Sequence, residues 1–384
     1  MIHKIDPYLL KKVNTLDNTQ KYECVLYANN YTRLKNHLLD ISLNIKEVPF
    51  INAFIVDLRC ENMFKLSKLN AVKYITQSAK VSALVNVANK ILHTESKVGV
   101  SGANFSIAVI DTGIYPHLDF MVPHNKIVKF VDLVNNKDLP YDDNGHGTFI
   151  SGVIAGNGTV DSKYIGIDPF SNIISIKALD KNGETSASNI LTAMQWVYDN
   201  KDEYNIKIVC MSFGAVPIGK NDPLMIGAEM LWDNGIVVVS AAGNSGPQIE
   251  TIRSPGSSYK IITVGALNDR RVNNIPQYEL FEVADFSSRG PIFNNYKPDL
   301  LTSGVNINGL NYDVNSGFYT TMSGTSVSTP MVVGVVSRIL KKYPQYSPDQ
   351  VKRYLITSCT KITGDRNSEG FGWLDGVKLF KDHE

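Results

Sequence analysis

The chain has 384 residues, 43% hydrophobic and 20% charged, which is typical of a globular protein with room for one large and one small domain. Its formal net charge of +1 gives no reason to expect nucleic acid or an anionic membrane surface as a partner. No apolar stretch approaches the roughly 20 residues of a membrane helix. The start of the chain shows no signal-peptide pattern and the cysteines are sparse, so we expect a cytoplasmic location. The four cysteines lack metal-ligand spacing, and Cys210, in an apolar run, is expected to be a buried thiol.

Residues 1–84 predict a small α+β unit. Runs rich in β-branched and aromatic residues alternate with two short helical patterns, in the order β-α-β-β-α-β of a ferredoxin-like fold. The predicted elements are a strand at 22–27, a helix at 31–39, a strand within 41–48, a strand at 51–58, a helix at 63–69 and a strand at 72–76. An unrelated accessory or binding domain is the alternative interpretation.

Residues 85–384 predict a larger α/β domain. Apolar strands alternate with helices, which indicates a mainly parallel sheet covered by helices on both faces. The predicted strands are 105–111, 173–179, 206–211, 236–240 and 261–265, and the predicted helices are 86–94, 188–200 and 224–234.

Three short segments of this domain carry chemically useful side chains. Asp111 ends an apolar strand, where α/β proteins place their sites, and His146 lies between two glycines at the start of a small-residue helix. Ser326 lies in a turn rich in hydroxyl groups just before an apolar helical run. Taken alone, Ser326 and Ser328 would be interpreted as helix caps. The three segments together favour a catalytic site.

The order Asp111, His146, Ser326, with Ser-Gly-Thr-Ser near the C-terminus, resembles the subtilisin-like serine proteases (subtilases, peptidase family S8). Subtilisin is itself the standard example of this order. Segments 111–117, 141–148 and 286–291 are similar to those of bacterial intracellular subtilases of the AprX type. The resemblance implies a three-layer αβα fold with a mainly parallel central sheet, and a serine endopeptidase that acts on peptides or proteins.

The resemblance also implies roles for single residues. Ser326 would be the nucleophile, His146 the general base and acid, and Asp111 the group that orients the histidine. The side chain of Asn244, otherwise an ordinary turn residue, would form the oxyanion hole with the backbone N–H of Ser326. The residues implied to line the substrate cleft are Ser212, Phe213, Gly214, Ala241, Ala242, Gly243 and Gly183. Glu184, beside the last of these, hints at tolerance for basic substrate residues, although a solvated loop charge is the simpler interpretation.

By the same resemblance, residues 1–84 would be an inhibitory prodomain that assists folding. Its tail, residues 78–84, would lie in the active site as a first substrate, with autoprocessing between Leu84 and Val85. Leu84 would supply an apolar P1 side chain and Val81 an apolar P4 side chain. The prodomain would thus be an intramolecular partner of the catalytic domain.

The sequence departs from the family pattern at a few positions. Phe149, Val327 and Ser328 stand where a histidine, a methionine and an alanine are usual. The calcium loop of secreted subtilisins is not recognisable at 156–163, which leaves Asp119 as a candidate ligand for a structural calcium. The chemistry itself requires no cofactor.

Three other interpretations compete with a subtilase. An aspartic protease needs a second Asp-Thr-Gly, and the chain has one. An α/β-hydrolase esterase needs Gly-x-Ser-x-Gly and a different triad order. A catalytically idle subtilase fold that serves as a binding or regulatory scaffold is the alternative from a non-enzyme class.

Overall fold

The computed structural model describes residues 4–6, 9–10, 21–39, 45–77, 80–83, 105–270 and 277–380. The helices within these ranges are α1 (Tyr31–Leu39), α2 (Cys60–Ser67), α3 (Leu118–Met121), α4 (His146–Ala155), α5 (Ala187–Asn200), α6 (Pro223–Asp233), α7 (Thr325–Lys342), α8 (Pro348–Thr357), α9 (Arg366–Glu369) and α10 (Gly376–Phe380). None of the helices in these ranges is long and apolar enough to cross a membrane.

The strands in the same ranges fall into four sheets. They are β1 (Lys21–Ala28), β2 (Ile45–Val48), β3 (Ala53–Arg59), β4 (Val72–Gln77), β5 (Lys80–Ala83), β6 (Ser106–Asp111), β7 (Ile127–Asp132), β8 (Asn172–Lys177), β9 (Glu184–Ser186), β10 (Ile206–Met211), β11 (Phe213–Gly214), β12 (Val237–Ala241), β13 (Ile262–Asn268), β14 (Glu282–Val283), β15 (Leu300–Ser303), β16 (Ile307–Leu310), β17 (Tyr319–Met322), β18 (Cys359–Thr360) and β19 (Trp373–Leu374).

The N-terminal unit has the predicted ferredoxin-like architecture. Its sheet has the strand order β2-β3-β1-β4 with antiparallel pairing throughout, and α1 and α2 cover one face. That covered face has its own core, in which Leu34 and Met63 pack against Leu26 and Phe54. Alternate side chains of the same strands point to the opposite face of the sheet, as the period of two requires.

The opposite face of this small sheet packs on the large domain. Val25 and Phe50 belong to one continuous core with the catalytic body, and the ring of Phe50 lies 5.7 Å from that of Tyr198 on α5. Polar contacts support the interface: Ser188 donates its hydroxyl to Glu23 at 2.7 Å. The N-terminal unit is therefore seated on α5 and α6.

The large domain is the predicted three-layer αβα structure. Its sheet has the strand order β18-β19-β15-β13-β12-β10-β6-β8-β7, with β14 pairing with β13, and the pairs from β19 to β7 are parallel. Helices α4 and α7 pack on each other and on the sheet, as do α5 and α6. Cys210, in the central strand β10, is a buried free thiol as predicted.

The predicted strands and helices match the structure to within a few residues at each end. The predicted helix at 86–94 and the domain boundary between residues 84 and 85 lie outside the described residues. The hairpin of β16 and β17, just before α7, was not predicted, because its eight residues show little apolar alternation.

Candidate active site

Asp111 and His146 lie in direct contact at the carboxyl edge of the central sheet. Asp111 is the last residue of β6, and His146 is the first residue of α4. Nδ1 of His146 lies 2.7 Å from Oδ1 of Asp111, and both side chains are almost fully buried. The other ring nitrogen, Nε2, has no hydrogen-bond partner among the described residues. Asp111 thus orients the ring through one nitrogen and leaves the second available for proton transfer.

Gly147 allows this close approach, as the glycines flanking the histidine predicted. A Cβ atom at this position would meet the carbonyl oxygen of Gly113 at 2.2 Å and the Cβ of Asp111 at 3.2 Å. Any side chain here would push the start of α4 away from the end of β6. The Asp111–His146 contact therefore depends on a glycine at 147.

The electrostatic surroundings raise the pKa of His146. Burial by itself acts to lower this pKa, because it disfavours the charged ring. The charge of Asp111, the hydrogen bond to it and the charge of Asp142 act in the opposite direction, and the pKa of His146 lies above its ordinary value. A histidine with a raised pKa accepts a proton more readily, as a general base requires.

Ser326 is the second residue of α7 and is fully buried. The helix begins after Gly324, which occupies the N-cap position with a φ of +152° and has no side chain to cap the helix. The hydroxyl of Ser328 donates instead to the carbonyl of Thr302 at 3.0 Å. The interpretation of both serines as mere helix caps is therefore wrong. The carbonyl of Ser326 accepts a hydrogen bond of 3.0 Å from the hydroxyl of Ser212.

Asn244 is tied to the residue that precedes Ser326. Its side-chain oxygen accepts hydrogen bonds from the N–H (2.9 Å) and the hydroxyl (3.0 Å) of Thr325. The hydroxyl of Thr325 also accepts from the N–H of Gly243 at 3.1 Å. Because the amide oxygen is occupied in this way, the NH₂ group is the part of Asn244 that remains to donate elsewhere. The side-chain amide of Asn244 and the backbone N–H of Ser326 thus both lie at the start of α7.

The parallel strand registers place the two predicted cleft walls side by side. β10 and β12 are direct neighbours, so Ser212–Gly214 and Ala241–Gly243 leave the sheet next to each other. On its other side β10 pairs with β6, and extending that register by two residues puts Ser212 beside Asp111. The walls and the Asp111–His146 pair therefore share one edge of the sheet.

The chain's own segment β5 lies between one of these walls, at β11, and strand β9. It is the middle strand of a three-stranded antiparallel sheet, with Ala83 opposite Phe213 of β11 and Val81 opposite Thr185 of β9. Gly183, predicted to bind substrate, lies in the turn before β9 with a φ of +72°. Leu84 and Val85, which follow β5, lie outside the described residues.

Asp142 has a position that the sequence analysis missed. It accepts hydrogen bonds from the Thr112 hydroxyl (2.9 Å), the N–H groups of Asn144 (3.1 Å), Gly145 (2.8 Å) and Thr148 (2.9 Å), and the Thr148 hydroxyl (2.7 Å). The Thr112 hydroxyl in turn accepts from the N–H of Gly147. Asp142 therefore joins the loop after Asp111 to the start of α4. The signal was an aspartate in a turn-forming Asp-Asp-Asn-Gly sequence.

Asp119, the candidate calcium ligand, is fully buried and already satisfied by protein donors. Its carboxylate accepts from the N–H groups of Gly158 (3.2 Å) and Val160 (3.1 Å) and from the hydroxyl of Tyr319 (3.1 Å). Within the described ranges, no three His, Cys, Asp or Glu side chains form a group that could hold a metal ion. These donors hold the 156–161 loop against β17.

The residues that depart from the family pattern fit their surroundings. Phe149 is fully buried, and its ring packs where Gly309 leaves room in β16. Val327 and Ser328 are buried in the first turn of α7. None of the three displaces Asp111 or His146 from their contact.

A histidine oriented by a buried carboxylate, in an α/β protein with a buried serine at a helix start, is typical of serine hydrolases. The sequence comparison gives the family. Residues 102–373 match the model of the Subtilase family, and the chain belongs to that family. It is a serine endopeptidase. Family membership excludes the aspartic-protease and esterase interpretations.

Individual relatives support the same conclusion. The chain is 40% identical to serine protease AprX of Bacillus subtilis over 322 residues, covering 77% of this chain and 71% of that protein. It is 28% identical to a thermostable alkaline protease of Halalkalibacterium halodurans, covering 84% and 81%. The predicted likeness to AprX is confirmed. These relatives are named as proteases, and the comparisons give no support to the idle-scaffold alternative.

Solved structures agree on the fold. Fervidolysin of Fervidobacterium pennivorans, described as a keratinolytic enzyme related to subtilisin, superposes with a TM-score of 0.73 at 20% identity. The alignment covers 94% of this chain and 61% of that one. A psychrophilic protease, S41, gives a TM-score of 0.62 at 29% identity over 71% of this chain and 92% of its own.

Proposed function

We propose that this serine endopeptidase acts through Asp111, His146 and Ser326. Oγ of Ser326 attacks the peptide carbonyl, and Nε2 of His146 takes up the hydroxyl proton while Asp111 retains its hydrogen bond to Nδ1. The Asn244 amide and the N–H of Ser326 stabilise the oxyanion. His146 then gives the proton to the leaving amine. Water, deprotonated by His146, hydrolyses the acyl-enzyme and regenerates Ser326.

The observation that carries the proposal is the position of β5. A substrate that binds by adding a strand between two edges uses main-chain pairing for affinity, and β5 has this pairing on both sides. Its direction sends the chain from Ala83, opposite Phe213, toward Ser212, whose hydroxyl binds the carbonyl of Ser326. The next residue, Leu84, is therefore our candidate for P1, with Val85 at P1′.

The same register supports a preference for apolar P1 and P4 side chains. The walls on either side of the P1 position consist of small or apolar residues, and Ala241 and Ala242 are fully buried. The P4 position falls at Val81, opposite Thr185 of β9, whose hydroxyl accepts a hydrogen bond from Asn189 on α5. Small walls leave room for a large apolar P1 group.

We also propose that residues 1–84 inhibit the enzyme until they leave. The N-terminal unit shares a core with the catalytic body, and its extension β5 fills the cleft that a substrate would use. Such a tail blocks the site for as long as the unit stays seated on α5 and α6. Release of the unit would be the activating step.

We propose further that neither catalysis nor the loop at Asp119 needs calcium. The N–H and hydroxyl donors on Asp119 stabilise its charge, as a cation would do. We expect incubation with EDTA to leave both activity and the unfolding temperature unchanged. A fall in either that added calcium restores would contradict this proposal.

The main test compares wild type with Ser326→Ala by denaturing gel, intact mass and N-terminal sequencing. We expect wild type to divide near Leu84–Val85 and the variant to stay whole, because Ser326 acts on its own chain. Two intact proteins would refute autoprocessing. Division of both at the same bond would mean that another protease cuts there.

A further inference from the structure

Glu184 lies directly opposite one position of the segment that occupies the cleft. In the antiparallel pair of β5 and β9, Ser82 is the residue opposite Glu184. Counting back from the candidate bond after Leu84, this position is P3. A substrate residue bound at P3 would therefore have its side chain on the same face of the sheet as Glu184, with the two Cβ atoms about 4.5–5.5 Å apart by the usual geometry of antiparallel pairs.

The backbone of Glu184 is held by the preceding turn. Its N–H donates to Oδ1 of Asp180 at 2.9 Å, and its carbonyl accepts from the N–H of Asp180 at 2.9 Å. Both main-chain groups of Glu184 are thus used within the loop. The pair with Ser82 is therefore of the non-hydrogen-bonded kind, in which opposed side chains approach more closely.

The face on which Glu184 lies follows from its neighbour. Oγ1 of Thr185 accepts from the side-chain amide of Asn189 on α5 at 3.2 Å, so Thr185 points toward the body of the enzyme. Because side chains alternate along a strand, Glu184 points to the other face, away from α5. The side chain is only partly buried, so a substrate side chain can reach it.

From this geometry we propose that Glu184 is a specificity-determining residue that selects a basic side chain at P3. This inference rests on the proposed binding of substrate in the place of β5. A P3 lysine or arginine forms a cross-strand ion pair with the carboxylate, whereas a P3 glutamate is repelled. The preference adds to those at P1 and P4, because Glu184 is not one of the residues proposed to form the P1 and P4 walls.

The test uses the processed enzyme obtained from the full chain and three peptides that differ only at P3, with Lys, Gln or Glu. We expect kcat/KM to fall from Lys to Gln to Glu, with a total ratio of about three- to tenfold. Glu184→Gln should bring the ratio close to one. Glu279→Gln, which removes an exposed carboxylate on the loop between β13 and β14, should leave the ratio unchanged.

A second readout does not depend on catalysis. In the unprocessed Ser326→Ala chain, Ser82→Lys should unfold about 1–2 °C higher than Ser82→Glu, and Glu184→Gln should remove that difference. Equal cleavage of the three peptides by wild type would overturn the role of Glu184 and leave the proposed function standing. If no peptide and no protein substrate is cleaved, the proposed function falls, and the unfolding comparison decides the inference alone.

Discussion

Asp111 and Asp142 are both buried carboxylates beside His146, and they differ in how many donors they hold. Asp142 accepts five hydrogen bonds, from three backbone N–H groups and two hydroxyls. Asp111 accepts two through Oδ1, from His146 and the N–H of Thr112, and its Oδ2 has no partner among the described residues. A carboxylate whose oxygens accept many hydrogen bonds holds the donor groups around it in place. A carboxylate with fewer donors keeps more of its negative charge available to stabilise a cationic imidazole.

The largest effect should come from removing the charge of Asp111. Asp111→Asn keeps the size of the side chain but changes which proton the ring can hold, and we expect kcat to fall by about 10⁴. His146 must be neutral to act as a base, so activity declines as pH falls through its pKa. Without the Asp111 charge this pKa drops, and the acid limb of the pH–rate profile should move to lower pH.

The pH–rate profile of kcat/KM for wild type and Asp111→Asn measures this shift. An acid limb that stays in place would show that the charge of Asp111 does not raise the pKa of His146. In that case Asp111 and Asp142 would differ in where they lie and not in how strongly their charges act on His146.

Asn244 combines a structural contact and a proposed catalytic contact in one side chain. Its removal should have the next largest effect on activity. Its oxygen holds Thr325, as Asp142 holds its loop. Its NH₂ group is the donor that we propose for the oxyanion. We expect Asn244→Ala to lower kcat by about 10²–10³ with little change in KM, a range known from subtilisin, a member of this family.

Asn244→Asp is the matched variant, because it keeps an oxygen for Thr325 and removes the NH₂ donor. Steady-state kinetics and thermal unfolding of both variants separate the two roles. If Asn244→Asp retained wild-type kcat, the assignment of the amide to the oxyanion hole would be refuted.

The same distinction explains what the sequence could predict. Asp111, His146 and Ser326 stand at the ends of long apolar runs, so strand–helix alternation and a family resemblance suffice to select them as candidates. Asp142 lies within a turn, and its five contacts come from the loop after β6, from its own turn and from the first turn of α4. Patterns of hydrophobicity record burial of apolar faces, and they do not record which polar groups a carboxylate meets after folding. Patterns of hydrophobicity do not record the register between strands either. The residue opposite Glu184 could therefore be identified only from the strand pairing in the structure.

Asp142→Asn tests the structural carboxylate. The amide keeps one acceptor but turns an NH₂ group toward N–H donors, so some buried donors lose their partner. We expect the free energy of unfolding to fall by about 2–4 kcal/mol and kcat by about tenfold. The acid limb should move to lower pH by less than in Asp111→Asn, because the charge of Asp142 is the smaller contributor to the pKa of His146.

Chemical denaturation and the pH–rate profile measure these effects. A loss of kcat as large as that of Asp111→Asn, with unchanged stability, would remove the distinction between the two carboxylates. Wild-type stability and activity would show that the five contacts are redundant.

The smallest effect should come from Asp143→Asn, the same substitution one residue further along. Asp143 accepts a 2.6 Å hydrogen bond from Nζ of Lys177, but its side chain is 35% exposed, whereas that of Lys177 is fully buried. Lys177 retains the carbonyls of Thr112 and Leu179 as acceptors, so its ammonium group stays solvated by the protein. We expect a loss of about 1 kcal/mol in unfolding free energy and no shift of the acid limb. A shift equal to that of Asp142→Asn would mean that the pKa of His146 responds to any nearby negative charge. The hydrogen bonds of Asp142 would then give it no greater influence on that pKa than Asp143 has.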